Sequence, residues 1–145
     1  MQSFNSQLFL VFLFTLIEQM LFGQEKSQLI IHVSNIKEAK GNIMISVYYS
    51  DETFLGKNVQ TGFIVPVTQK GDLEFPVKDL PTGNYAISVY HDKNENQTLD
   101  SNLLSIPTEP YGFSNNAKAL FGPPSFESSK VEIKSGKQVI NIALK

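Results

Sequence analysis

An all-β sandwich of about seven antiparallel strands, following an N-terminal export signal, is the fold this sequence predicts. Three observations predict it. From Leu29 onward the apolar residues recur mostly with period two, as they do in strands with one face in a core and the other in solvent. Clusters of Gly, Pro, Asn and Asp punctuate that alternation at short intervals and read as turns. Residues 8–17, LFLVFLFTLI, form an apolar run that is short for a bilayer span and stands where a signal peptide stands.

Length and composition set the remaining bounds. A chain of 145 residues with 41% hydrophobic and 11% aromatic content fills one sandwich core, so residues 1–23 are assigned to the signal peptide and 24–145 to a single domain. Glu18 interrupts the apolar run and no Lys or Arg precedes it. Met20, Leu21 and Phe22 resume it, which keeps a retained membrane anchor as the alternative. After cleavage no membrane span is expected, and the destination is periplasmic, cell-surface or extracellular. The net charge of −2 and the lack of any basic cluster argue against nucleic acid as a partner. Without cysteine there is no disulfide framework, thiolate nucleophile or thiolate metal site, so a metal would have to be held by oxygen or imidazole.

Taken in order, the first strand is expected over residues 28–35. The second, GNIMISVYYS over 41–50, is rich in β-branched and aromatic residues and reads as central. A polar turn through Lys37 and Gly41 joins the two as a hairpin. Phe54 and Leu55 are expected to plug the core from the following loop. Strands over 63–67 and 72–77 come next, and Pro66 and Pro76 confine both to sheet edges. The turn LPTGNY delivers the clearest strand, 85–91, with Tyr85, Ile87 and Val89 facing the core and Ala86, Ser88 and Tyr90 facing away. Tyr85 is placed either to tie the corner with its hydroxyl or simply to pack. Residues 103–124 form a long Pro- and Gly-rich loop or cover. Strands over 125–133 and 137–144, joined at Lys134-Ser135-Gly136, close the fold as a hairpin.

The chemical interest lies in HDKNENQTLD, directly after the clearest strand. Asp92, Asn94, Asn96 and Asp100 hold positions one, three, five and nine of this loop, the odd spacing by which short oxygen side chains converge on a hard cation. Thr98 at position seven offers a backbone carbonyl, and Glu109 is the nearest further carboxylate. These six residues are the candidate ligands of a structural calcium ion. It is not an EF-hand, since position twelve is Leu103 instead of Glu. Asx-turns in a solvated loop are the competing reading. Tyr111, Phe113, Asn115 and Asn116 form a second cluster, suited to a glycan or peptide ligand or to fastening the long loop.

Through LPTGNYAISVYHDKNENQTLD and IPTEPYGFSNNAKALFGPPSF the chain resembles the bacterial secreted family called domain of unknown function 2141. The resemblance spans about residues 29–144. It implies a signal peptide, an immunoglobulin-like or transthyretin-like sandwich, and no established activity. Gln97 and Ser105 stand where the family pattern has Gly.

A non-catalytic binding or accessory module is therefore the expected function. The alternative is a hydrolase built around His91, Glu109 and Tyr111, although adjacent His91 and Asp92 point to opposite faces of a strand and no nucleophile is placed by motif. His32 stands alone, without a partner at zinc-ligand spacing.

Overall fold

The computed structural model describes residues 27–56 and 61–145. The expected signal peptide and anchor lie outside the described residues. Among the described residues eight strands form two sheets: β1 (Ser27–Ile36), β2 (Asn42–Tyr48), β3 (Thr61–Pro66), β4 (Gly71–Lys78), β5 (Gly83–Asp92), β6 (Tyr111–Phe113), β7 (Lys130–Ile133) and β8 (Gly136–Ala143). One sheet has the order β4-β1-β8 and the other β3-β2-β5-β6, with β7 also paired to β5. The all-β class is as expected, with one strand more than anticipated.

Alternation explains the packing. Leu29, Ile31 and Val33 of β1, Ile43, Ile45 and Val47 of β2, and Ile87 and Val89 of β5 are buried together between the sheets with Ile133 and Ile142. Tyr85 joins them, and its hydroxyl also donates to the Pro81 carbonyl at 3.0 Å, so the residue both packs and ties the corner. In β1 the alternation slips after Val33: the register with β4 shifts between Val33 and Ile36, and Asn35 takes φ 71°. That bulge lets Ile36 return to the core. The two proline-bearing strands, β3 and β4, lie at sheet edges as their missing N–H groups require.

Both expected hairpins are overturned. β1 pairs with β4 and β8, whereas β2 pairs with β3 and β5, so the turn after β1 carries the chain from one sheet to the other. Likewise β7 pairs with β5, while β8 crosses to the first sheet and runs parallel to β1 from Ser27↔Gly136 to Ser34↔Ala143. The reason is that alternation tells which face of a strand is buried and nothing of which sheet supplies it. Ile133 and Ile142 reach the same core from opposite sides.

The strand expected over 125–133 begins as a helical turn, α1 (Phe126–Ser129), capped by Ser125, whose hydroxyl accepts from Ser128 N at 3.2 Å. Phe126 covers Ala86 and Tyr48 on the outer face of the five-stranded sheet. Phe54 plugs this second cluster, 5.3 Å from the Tyr48 ring and 5.9 Å from Phe126. Leu55 does not plug it; the side chain is exposed.

Candidate functional site

Two features share the end of β5. The first is the loop that follows it. β5 is the central strand of its sheet, paired with β2 on one side and with β6 and β7 on the other, so its last residues are rigidly placed. His91 is 1% exposed, and its Nε2 lies 2.7 Å from the Lys40 carbonyl. Asp92 is fully buried, with one carboxylate oxygen accepting Asn96 N at 3.1 Å and the other Gln97 N at 2.7 Å. Gly41 is required beside them: a Cβ at its φ of 66° would overlap the Asp92 carbonyl.

The rest of the loop repeats the same chemistry. The Asn94 and Asn96 side-chain oxygens accept Asn96 N and Thr98 N, and their amide nitrogens donate to the two oxygens of Asp100 at 2.7 and 3.0 Å. Glu109, 6% exposed, reaches in from the far side of the long segment and accepts Lys93 N at 2.7 Å and Asp100 N at 3.2 Å. Asp92, Asn94, Asn96, Thr98, Asp100 and Glu109 are thus brought together. In this arrangement carboxylate and amide oxygens close the loop through its own N–H groups. Gln97, at position six, has φ 61°, and Ser105 has φ 59°. Both positions take the left-handed conformation that glycine adopts most freely. Outside the loop, Lys93 reaches Glu38 at 3.1 Å and Lys40 reaches it at 2.8 Å. Hydrogen bonds from these two ammonium groups, Lys40 first, hold the Glu38 carboxyl at about 2, well below its ordinary value.

The second feature is a groove of about 530 Å³ on the outer face of the five-stranded sheet. Its floor is made by residues that alternate away from the core. Ser46 and Ser88 face each other across β2 and β5, and Tyr48, Tyr90, Tyr111 and Phe113 surround them. Two small hydroxyl residues amid larger rings leave a depression. Leu99 and Ile106 border it from the loop after β5, with Leu120 from the segment before α1. Among the described residues, no Asp, Glu, Lys, Arg or His lines it. The Tyr90 phenol is pushed up by burial, with smaller contributions from the negative charges of Asp92 and Glu109 behind it.

Of the second sequence cluster, Tyr111 and Phe113 line this groove, with ring centroids 5.8 Å apart. Asn115 and Asn116 do not: both lie in a left-handed turn, where Asn115 Nδ2 donates to the Ser128 carbonyl and Asn116 borders a smaller neighbouring cavity. Neither His91 nor Glu109 lines the groove that Tyr111 borders. Sequence reasoning missed Ser46 and Ser88, which read there as ordinary solvent-facing alternates. The available signal was the company of outward-facing Tyr48 and Tyr90 on the same two strands. It also missed Ser114, fully buried, whose hydroxyl accepts Ile87 N at 2.8 Å and donates to the Ser129 carbonyl, fixing the long segment against β5.

A two-sheet sandwich with a clamped loop and an uncharged groove at the end of its central strand defines a class of small all-β domain. The chain belongs to the bacterial family described as "Uncharacterized protein conserved in bacteria (DUF2141)", whose pattern matches residues 31–141. Neither the curated proteins nor the solved structures contain a match to it. No helix among the described residues is long and apolar enough to cross a membrane.

Proposed function

We propose that this is an exported, non-catalytic binding module whose ligand occupies the sheet-face groove. The observation that carries the reading is the groove's construction: a concave, mostly apolar site with a few hydroxyls is how small-molecule sites are commonly built. Buried His91 and Glu109 hold backbone groups outside the groove, which favours binding over hydrolysis. Export rests on the apolar run of residues 8–17. A screen of glycan, peptide and apolar small-molecule ligands against the purified protein tests the reading. Hits weakened by Tyr111→Ala are expected; a hit unaffected by that change, or hydrolysis of a library member, would count against it.

A structural calcium ion at the loop is the second part of the proposal. Its support is the left-handed Gln97 at position six, the place where a calcium loop makes its sharp turn. Binding would require the amides of Asn94 and Asn96 to turn their oxygens inward beside Asp92 and Asp100, in place of the N–H donors now on Asp100. With few carboxylates the affinity falls in the weak extracellular range, about 10⁻⁴ to 10⁻³ M. Calcium at ten times Kd adds about 1.4 kcal/mol to the folded state. Thermal unfolding in calcium against chelator is expected to show a higher Tm with calcium, and Asp100→Ala is expected to abolish the difference. Equal Tm values for the wild type return the loop to a set of Asx-turns.

A further inference from the structure

The geometry points to an uncharged, largely hydrocarbon molecule carrying a hydroxyl or carbonyl group as the ligand of the sheet-face groove. This rests on the groove being the binding site and names what the site selects. Among the described residues the lining supplies no ionic partner, and a charged group moved from water into such surroundings without one costs several kcal/mol. A carboxylate, phosphate or ammonium would therefore have to stay outside, whereas a neutral molecule enters without that penalty. The polar groups present are hydroxyls, from Ser46 and Ser88 on the floor and Tyr90 and Tyr111 beside them, and a hydroxyl both donates and accepts. The raised Tyr90 phenol stays protonated and keeps its donor.

The surroundings extend the same preference. Leu103 and Leu104, next to Ser105 of the lining, and Phe121, next to Leu120, are exposed, as is Leu120 itself. Ile106 and Leu120 of the lining, large apolar side chains set in water, lose that exposure when an apolar guest covers them, which adds to the affinity in proportion to the area covered. A sugar fits poorly. Its many hydroxyls need amide or carboxylate forks, and Asn115 and Asn116, the nearby amides, stand outside the groove.

The neutral fluorophore N-phenyl-1-naphthylamine is the probe, with dodecanol, dodecanoate and dodecyltrimethylammonium as competitors below their micelle-forming concentrations at neutral pH. These share one chain and differ in charge. Saturable fluorescence enhancement is expected, with dodecanol displacing the probe at about one tenth the concentration either ion needs. Ser88→Trp fills the floor, and Ile106→Asp sets a carboxylate in the wall at an exposed position that leaves the core untouched; each is expected to weaken probe binding about tenfold. Displacement by an ion as good as by dodecanol, with both variants still weakened, overturns the ligand class and keeps the groove. Probe binding unchanged in both variants, or no saturable binding to the wild type, overturns the groove as well.

Discussion

Asp92 and Glu109 show how a polar loop is organised when its neighbours are strands. Each carboxylate accepts two backbone N–H groups, and hydrogen bonds to a charged acceptor are stronger than neutral ones. Removing Glu109 takes the side-chain acceptor from Lys93 N and Asp100 N, and removing Asp92 takes it from Gln97 N, while Asn96 N keeps the Asn94 side-chain oxygen. Position six of the loop works in the other direction, because Gln97 at φ 61° bears a Cβ in a conformation that glycine adopts freely. Gln97→Gly is expected to stabilise the protein by about 0.5–1 kcal/mol, the relief of left-handed strain less the added freedom of the unfolded chain. Urea unfolding measures it, and a loss of stability would show that the Gln97 side chain contributes more than its backbone strain removes. Odd spacing named five of the candidate ligands, and Glu109 was added as the nearest further carboxylate. What spacing could not reveal is the direction of the hydrogen bonds, since an Asn can turn either its oxygen or its nitrogen toward Asp100.

At the scale of elements, β5 carries the most. Its inward side chains enter the main core, its outward ones form the groove floor and part of the second cluster, and its end anchors the loop. Ile87→Ala is expected to cost about 2–5 kcal/mol in urea unfolding, as a cavity at a fully buried position does; a change under about 0.5 kcal/mol would contradict the register. Strands were legible because period two is a strong local signal. The body of β5 and the inward face of Tyr85, Ile87 and Val89 follow from it, while the edge positions of β3 and β4 follow from Pro66 and Pro76. The helical turn at Phe126 was not legible, because residues 125–129 run without a break or a glycine into the alternating Val131 and Ile133 and were read as the start of the same strand. The groove was only half legible. Tyr111 and Phe113 stood out as aromatics in a loop, whereas Ser46 and Ser88 gain meaning only once β2 and β5 lie side by side.

In the molecule as a whole, the described strands pass between the sheets four times, after β1, β3, β4 and β7, and the first and last of these passages leave no trace in the local sequence. The turn after β1 and the turn before β8 are short and polar, as hairpin turns are, yet each passes the chain across the core. Their joint result is the parallel pairing of β1 with β8 over eight registered residues. Because the strands run the same way, β1 begins at the end of the sheet opposite to the one where β8 finishes, about 25 Å away at the usual rise per residue. Tension applied through the residues flanking Ser27 and Lys145 would slide the two strands lengthwise and load their hydrogen bonds together, whereas tension across the antiparallel β1–β4 pair from adjacent ends would part them one at a time. In a single-molecule pulling experiment the first geometry is expected to need clearly the larger force, and equal forces would mean that the β1–β8 ladder is not the clamp. A larger force in the first geometry would mean that the groove and loop keep their shape until the β1–β8 ladder gives way.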